Sequence, residues 1–585
     1  MKGVDPNESS KLLTKLECFR SRNSINHYYI NKDVYRLLYD RDFYYIAYNS
    51  IKSNDGAETA GSDGTSLHGF CEEWIDELIS SFRDEIYQPQ PNRITYIPKK
   101  NGKMRKLSFP NGKDKLVQEC VRIILECIYE PTFSNLSHGF RPNRSVHSAL
   151  AQVETWRATT WFIEGDISAC FDEIDHRVLE SILRERIHDE RFIRLINKIL
   201  KAGYFDMEHK FQSTKRGNAQ GSCSSQILAN IYLDKLDRFM EHIIERDMLG
   251  KHRRQNPEYA RLRHQLNKAI SVHDIKEIKR LRKKLSSTSS VDNFDSSFCR
   301  VHYVRYADDF LVGTISSKAY AQQLKQEIRQ FLKDELHLRL SEEKTLITHA
   351  KNEKAHFLGY LISRRFPSID ILIDNQKLIC KLRDNGMCDA FGKPHSIKRL
   401  LSKPIEDIIT YGNQVLRGLI NNNQGCRNYY DMHRIQYIIQ YSIAYTIARK
   451  CDTSLKKVFK KYHTQLIYSY TNDKGKAKTI KLVLYRSFKR DKTFFPQWLS
   501  KIKQNVEYKY SDTNPLKRNC YICGNPQQHV MFHRKKISLL HKPYSHIIKE
   551  MIRINRRQIC LYRECFIKVS QNLLEYNQIT KRKLT

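Results

Sequence analysis

Two adjacent aspartates, Asp308 and Asp309, lie between short apolar segments at residues 303–306 and 310–313. Both segments are rich in β-branched and aromatic residues, so the pattern predicts a β-hairpin with an Ala-Asp-Asp tip. Carboxylates held side by side repel each other unless a cation neutralises them. Mg²⁺ prefers such hard oxygen ligands, often together with substrate phosphates. The pair therefore indicates a divalent-cation site, and the alternative is a surface turn, where Asp is common.

A third aspartate, Asp166, ends a separate apolar segment that begins at Trp161. This segment predicts a strand, and a helix is expected to begin near Phe171. Three carboxylates around two divalent cations can stabilise the attacking 3′-oxygen and the leaving pyrophosphate of a nucleotidyl transfer. Asp166 therefore joins Asp308 and Asp309 as a predicted catalytic residue and Mg²⁺ ligand.

The composition favours a nucleic-acid partner. The 585 residues carry 101 Lys and Arg against 64 Asp and Glu, and a net charge of +37 calls for a polyanion. Hydrophobic residues make up 40% of the chain, which is enough to build cores and excludes a disordered basic tail. No run of about 18 apolar residues occurs, so a membrane-spanning protein is excluded at this point. Fifteen scattered cysteines favour a reducing compartment.

The elements that must position these residues change along the chain. From about 70 to 365, short apolar runs alternate with helical patterns, which predicts an α/β or α+β domain. Residues 251–284 within it hold twelve Lys or Arg against three Asp or Glu. They form either a solvated helical hairpin or an inserted RNA-contacting surface. Residues 400–465 predict helices with a cationic face, 466–515 are expected to connect, and 517–570 contain a Cys- and His-bearing module.

In this order, the motifs make the chain resemble the reverse transcriptases encoded by group II introns, known as maturases. Tyr306-Ala307-Asp308-Asp309 is similar to the family's Tyr-Ala-Asp-Asp box, and Asp166 matches its first metal-binding aspartate. Five further blocks resemble the family over residues 97–105, 139–147, 219–222, 343–345 and 357–360. One departure is the absence of the prolines that the family usually has near Cys223 and Gln226. The resemblance covers about residues 30–570.

The resemblance implies an α+β right-hand polymerase. Fingers and palm are expected in residues 1–365, with a basic insertion at about 245–300. A helical thumb or maturase domain (domain X) with a connector is expected in 366–515. A small C-terminal module, similar to a degenerate HNH endonuclease module, is expected in 516–585.

Several residue roles follow from the resemblance. Phe171 matches the aromatic residue that excludes a 2′-hydroxyl from the incoming nucleotide. Gln220 and Gly221 match the element beside the templating base, and Gly221 would let the backbone approach the template closely. Lys344 would contact the primer or the backbone. Template and triphosphate contacts are expected from Lys99, Lys103 and Arg105, where cations can meet phosphates.

The helical domain interleaves basic residues with tyrosines, a composition suited to folded RNA, where stacking and phosphate contacts dominate. The alternative is an ordinary helical bundle with a polar face. The predicted RNA-binding residues are Arg417, Arg449, Lys450, Lys456, Lys457, Lys460 and Lys461.

The tail departs from an intact HNH module at several positions. Phe532 stands where the general-base His is expected, and Phe cannot activate water. Tyr562 replaces a structural Cys, Phe566 replaces a His, and Ser570 replaces the final metal-binding His. DNA cleavage is therefore expected to be lost, although the tail could still bind DNA or RNA. A zinc site is one reading of Cys520, Cys523, Cys560 and Cys565, and unligated buried thiols are the other.

The function implied is a group II intron maturase with RNA-directed DNA polymerase activity. Such a protein binds intron RNA to promote splicing and copies it into DNA from a primer at the target site, using dNTPs and two Mg²⁺. The alternatives are a splicing-only RNA-binding factor that keeps the polymerase fold as a scaffold and, less consistent with Phe532, an active homing endonuclease. A mitochondrial location is expected from a composition typical of AT-rich genomes, with chloroplast and bacterial cytoplasm left open, as is a homodimer.

Overall fold

Helices and strands mix through residues 11–373, as the alternating patterns predict, and helices dominate from 375 to 502. The computed structural model describes residues 11–98, 102, 104–206, 208, 210–288, 290–292, 295, 297–365, 368–471, 477–502, 514–533 and 558–571. Within these ranges, no helix has the length and apolar character needed to cross a membrane.

The fingers region is built on a largely buried helix and a β-hairpin. Helix α4 is buried along nearly its whole length and packs against α1 and α2. Strands β1 and β2 pair antiparallel, and Ile97 faces Arg105 across the pair. The elements are α1 (Lys11–Ile25), α2 (Arg41–Ile51), α3 (Glu72–Arg83), β1 (Asn92–Pro98), β2 (Met104–Phe109), α4 (Gly112–Tyr129) and α5 (Val146–Glu154).

The palm is an antiparallel sheet with the strand order β6-β7-β3-β8, and β9 also pairs with β3. Helices α9 and α12 pack against it. The elements of this part are β3 (Trp161–Ser168), α6 (Cys170–Glu173), α7 (His176–Arg184), α8 (Glu190–Leu200), β4 (Tyr204–Phe205), β5 (Phe211–Gln212), α9 (Ser225–Arg246), α10 (Pro257–Ser271), α11 (Ile275–Ser287), β6 (Arg300–Tyr306), β7 (Asp309–Ile315), α12 (Lys318–Asp334), β8 (Arg339–Leu340) and β9 (Leu346–His349).

The basic segment forms a helical hairpin, one of the two structures predicted for it. Helices α10 and α11 pack against each other around a small core of Leu262, Leu266 and Leu281. Its charged residues are mostly exposed. The hairpin is therefore an insertion between α9 and β6 with a separate hydrophobic core.

The thumb region has the two long helices expected from the isoleucine spacing. Helix α15 packs against both α14 and α16. The less clear segment after residue 466 contains a hairpin and a helix, α17, which returns to pack against α5. The elements are β10 (Ala355–Phe357), β11 (Tyr360–Arg365), β12 (Ser368–Ile373), α13 (Asn375–Asp384), α14 (Ile405–Asn423), α15 (Met432–Lys450), α16 (Leu455–Tyr462), β13 (Tyr468–Thr471), β14 (Ala477–Ile480) and α17 (Phe494–Ile502).

The tail contains a two-stranded ribbon followed by a short helix. Strand β15 (His529–His533) pairs antiparallel with β16 (Gln558–Tyr562), which leads directly into α18 (Arg563–Ser570). The ribbon and helix enclose a small core that includes Cys520, Phe532 and Cys565.

Candidate active site

The predicted hairpin is present, and its tip is a tight two-residue turn. Tyr306 pairs with Asp309, which leaves Ala307 and Asp308 as the turn residues. Ala307 has a φ of 58°, the left-handed conformation that favours short turns. Gly139 passes directly behind the tip, and a Cβ there would lie 2.3 Å from the Ala307 nitrogen. The backbone packing thus holds Asp308 at the end of the sheet.

A buried ion pair anchors this turn from below. Arg305 donates to both carboxylate oxygens of Asp237 on α9, with its Nε 2.8 Å and its Nη2 2.5 Å from them. The same guanidinium donates to the Ala307 carbonyl at 2.9 Å and to Ser137 Oγ at 2.8 Å. The Arg305 and Asp237 side chains are 1% and 0% exposed. Since the charge is fully paired in a dry environment, the arginine fixes the backbone just before Asp308.

The sequence analysis missed this anchor. An arginine between valine and tyrosine in a buried strand was a signal that a buried acid must pair with it. Asp237 could not be identified from its spacing, because 68 residues and an inserted hairpin separate it from Arg305.

Asp166 lies directly opposite Asp309, because β3 pairs with β7 in that register. The strand runs two residues past Asp166, to Ser168, so Asp166 is near the strand end and not at it as predicted. Asp308 is adjacent across this sheet edge, where its carbonyl accepts a hydrogen bond from the amide of Ile167 at 3.3 Å. The three predicted carboxylates therefore meet at one edge of the palm sheet.

The three carboxylates perturb one another. Partial burial, followed by the charges of Asp308 and Asp166, raises the pKa of Asp309 to about 7. Burial is also the main cause that raises the pKa of Asp308, with Asp166 adding to it. Such a site favours a bound cation, because neutralising the cluster removes the repulsion. The donor set, hard carboxylate oxygens beside a polar cavity, fits Mg²⁺.

Lys344 supplies one positive charge to this cluster. Its Nζ lies 2.9 and 2.8 Å from the two carboxylate oxygens of Asp166. The ion pair raises the pKa of Lys344, which keeps the ammonium charged. The side chain is 64% exposed, so it is free to rotate when another cation approaches Asp166.

A cavity of about 1180 Å³ lies beside this cluster, between the fingers and the palm. Asp166 and Asp308 line it together with three residues predicted to contact the nucleotide or template, Arg105, Phe171 and Gln220. Gly221 and Lys344 also line it. Arg105 is close enough to lower the pKa of Asp308, a tendency that burial outweighs. The other two predicted fingers cations, Lys99 and Lys103, lie outside the described residues.

Two predicted residues have contacts that the motifs did not indicate. Phe171 packs edge-on against Phe140, with the ring centroids 6.3 Å apart, which fixes its orientation at the cavity. Gly221 has a φ of 115°, and a Cβ there would lie 2.5 Å from the Ser108 carbonyl oxygen. Within the protein itself, this glycine therefore permits a close approach to the fingers strand β2, whereas the prediction concerned the template. The Gln220 carbonyl accepts the Ser108 amide at 2.7 Å.

His176, which follows the Asp166 strand, has a structural role. It is buried at the start of α7, and its Nε2 lies 2.7 Å from the carbonyl oxygen of Gly217. It does not line the cavity.

The predicted RNA-binding cations are all exposed, and none forms an ion pair with another residue in the described ranges. Four of them share one face of α16, opposite the buried Val458 and Tyr462. Arg449 and Lys450 end the neighbouring helix α15, whereas Arg417 lies on α14. The four on α16 are Lys456, Lys457, Lys460 and Lys461.

A second candidate metal centre lies in the tail. The Sγ atoms of Cys520, Cys523 and Cys565 all lie within 4.8 Å of one another, the spacing of ligands around one ion. Burial tends to raise the pKa of the Cys520 thiol, but backbone N–H groups, including those of Cys523 and Tyr562, outweigh it and lower the pKa. A lowered pKa favours the thiolate, which is the form that binds metal.

Cys560, predicted as a fourth ligand, does not belong to this cluster. Cys560 lies on β16 with Tyr562. Its side chain joins the large core shared by the fingers and the palm, together with Met531. The strand thus presents Cys560 to the body of the protein and not to the other three thiols.

Comparisons with known proteins agree with this architecture. Residues 97–362 match the family model described as reverse transcriptase (RNA-dependent DNA polymerase), and residues 367–514 match the type II intron maturase model. A right-hand polymerase palm with these matches defines the class of the protein as a reverse transcriptase.

Two relatives extend the likeness over nearly the whole chain. The group II intron-encoded protein LtrA of Lactococcus lactis is 35% identical over 85% of this chain and 88% of its own length. The putative COX1/OXI3 intron 2 protein of Saccharomyces cerevisiae is 31% identical over 94% of this chain and 67% of its own. A solved telomerase from Candida albicans, with a TM-score of 0.36 and 13% identity over 74% of this chain and 64% of its own, is too distant to carry an inference.

The chain belongs to the group II intron-encoded proteins, which combine a reverse transcriptase with a maturase domain. It is a group II intron maturase and an RNA-directed DNA polymerase, as the sequence motifs predicted.

Proposed function

We propose that Asp166, Asp308 and Asp309 hold two Mg²⁺ and catalyse the copying of intron RNA into DNA from a primer. The supporting observation is the meeting of these carboxylates at one sheet edge beside the cavity, with the pKa of Asp309 raised to about 7. The metal would stabilise charge on the attacking and leaving oxygens.

The residues around the carboxylates would position the substrates. Arg105 would bind triphosphate or template phosphates, and Phe171 would lie against the sugar of the incoming dNTP. Gln220 would lie beside the templating base. Lys344, now paired with Asp166, would turn towards a phosphate of the primer once a metal neutralises that carboxylate.

Primer extension on an RNA template tests the polymerase proposal. Asp308→Ala should lower the rate on the order of a thousandfold, because a lost metal ligand removes several kcal/mol of transition-state stabilisation. Asp334→Asn, at an exposed aspartate ending α12, is the matched control and should extend like the wild type. If the wild type itself fails to extend the primer while still promoting splicing, the splicing-only alternative is correct.

We propose further that the thumb cations bind intron RNA. Their exposure supports this role, since binding of RNA phosphates requires charges that are not already paired. Replacing Lys456, Lys457, Lys460 and Lys461 with alanine should reduce the slope of log affinity against log salt by about one for each phosphate that a lysine neutralises. An unchanged slope would leave the face as an ordinary solvated surface.

The tail cysteines would bind one zinc ion through Cys520, Cys523 and Cys565, whose thiolates are typical zinc ligands. The tail would not cut DNA. Phe532 is 5% exposed and offers neither a base nor a metal ligand. A nicking assay of the full chain on target duplex should therefore show no cleavage beyond that of a buffer control.

A mitochondrial location is proposed from the related proteins described as mitochondrial in Marchantia polymorpha and Arabidopsis thaliana. Fractionation with organelle markers tests it. The homodimer stays a prediction.

A further inference from the structure

The tail is joined to the fingers by backbone hydrogen bonds. The amide of Gly69 donates to the Met531 carbonyl at 3.1 Å, and the amide of Met531 donates to the Phe70 carbonyl at 3.1 Å. Cys71 and Val530 complete an antiparallel bridge. Residues 69–71, which precede α3, thus add to strand β15 as a short third strand.

The ribbon of the tail has two buried faces. Met531 and Cys560 join the large core shared by the fingers and the palm, as does Leu516. Their strand neighbours Phe532 and Leu561 belong to the small core that contains the cysteines. This alternation is what a strand produces when both sides are covered. The ribbon is therefore covered on one face by the small core of the tail and on the other face by the large core.

An aromatic clasp, formed by His68, Phe532 and Phe566, closes this contact at its edge. The His68 ring centroid lies 4.7 Å from that of Phe532 and 5.4 Å from that of Phe566. The neighbouring Gly69 has a φ of 118°, and Phe566 lies 3.7 Å from the position of a Cβ there. Phe532 is buried and the other two rings are half-buried, so their contact adds apolar area that backbone pairing alone does not provide.

The docked segment is continuous with the wall of the catalytic cavity. Ile51, Ala57 and Leu67 line that cavity along with Asp166 and Asp308. Phe70 is buried and stacks on Tyr48 of α2, with centroids 4.1 Å apart.

The rest of this wall is held mainly by polar contacts with the start of α4: the Lys115 ammonium donates to the Gly56 carbonyl at 2.8 Å, and Asn111 Oδ1 accepts the Ser62 amide at 2.9 Å. Residues 52–67 are rich in Gly, Ser and Asp and contain few apolar side chains. A loop that buries little apolar surface opens at low cost unless something outside it holds its ends.

We propose that the tail is an intramolecular brace, whose docking on residues 67–71 holds the fingers wall of the catalytic cavity in its binding conformation. The brace does not depend on DNA cleavage by the tail. We take the ligand whose binding the brace supports to be an RNA–DNA template–primer duplex, and this choice rests on the proposed polymerase function.

The experiment compares Phe566→Ala, His68→Ala and the double variant in the full chain. Ile567→Ala, at a 45% exposed apolar residue on the same helix, is the matched control. Amide exchange at Gly69 and Met531, measured without nucleic acid, should accelerate about tenfold in each clasp variant. The dissociation constant of a template–primer duplex, from fluorescence anisotropy, should rise about fivefold. The free-energy changes in the double variant should be smaller than the sum of those in the two single variants, because the rings contact one another.

Three outcomes decide the proposal. Unchanged exchange in both clasp variants would overturn the docking itself. Faster exchange with an unchanged dissociation constant would overturn the coupling to the cavity. If Phe566→Ala unfolds the tail, Phe566→Leu keeps the apolar volume and should show a smaller shift in the same direction; no shift would contradict the brace. Failure of the wild type to extend a primer would refute the polymerase function, while the exchange measurement would still test the docking.

Discussion

The palm and the tail each gather side chains that can hold a metal ion, yet they achieve this differently. In the palm, Asp166 and Asp309 lie on paired strands of one sheet and Asp308 lies in the turn just before Asp309, which the buried pair of Arg305 and Asp237 fixes. In the tail, three thiols come from a turn and a short helix, beside a small core whose other buried residues are Phe532, Leu561 and Val569. Like charges need a rigid scaffold to be held together, whereas soft thiolates can be gathered by the metal itself.

The largest effect should come from breaking the palm scaffold. Arg305→Met leaves Asp237 as an unpaired buried charge, which should lower the free energy of unfolding by about 3–5 kcal/mol. Chemical denaturation measures this loss. Arg246→Met, at an exposed ion pair of the same region, is the control and should cost at most about 1 kcal/mol. If Arg305→Met lowered the free energy of unfolding no more than Arg246→Met does, the buried ion pair would not anchor the palm.

Loss of one thiol should reduce metal binding in the tail. Cys523→Ser should lower the zinc content measured by mass spectrometry from about one ion per chain towards zero, because it removes one of three thiolates. Cys451→Ser, at an exposed cysteine outside the cluster, should keep the wild-type content. Wild-type protein without zinc after metal-supplemented expression would show that the thiols are unligated.

The smallest effect concerns the pH dependence of the palm without metal. The pKa of Asp309 is raised to about 7 in the folded state and is about 3.9 for an ordinary aspartate. The native state therefore binds this proton more tightly, and the associated stability is present below about pH 4 and lost as the pH rises through 7. In EDTA, Asp309→Asn should flatten this fall in the melting temperature between pH 4 and pH 7. A wild-type slope in the variant would contradict the assignment.

The sequence was sufficient to predict the carboxylate cluster of the palm, because its motifs indicate both the residue type and the local structure. The alternation around Asp308 and Asp309 predicted the hairpin, and the strand at Asp166 supplied the third carboxylate. Its limit was tertiary pairing: the partner of Arg305 lies on a helix beyond an inserted hairpin, which no local pattern connects to it.

The tail shows the same limit more clearly. The resemblance to an HNH module drew attention to the thiols of Cys520, Cys523 and Cys565. Strand periodicity gives the face on which Cys560 lies but not what covers that face, so the sequence could not show that Cys560 lies outside the thiol cluster. The large core shared by the fingers and the palm covers it here. The docking of residues 69–71 on β15 left no signal in either segment, since backbone pairing is independent of side-chain type.

The most direct test of the account is to locate divalent ions in a ternary complex. Crystals of the protein with an RNA–DNA template–primer and a non-hydrolysable dNTP analogue can be soaked in Mn²⁺, whose anomalous scattering identifies it. We expect two peaks bound by carboxylate oxygens of Asp166 and Asp308, with Asp309 contacting one of them and Lys344 displaced from Asp166. Ions bound elsewhere, with Lys344 still paired to Asp166 in the ternary complex, would contradict the proposed two-metal site.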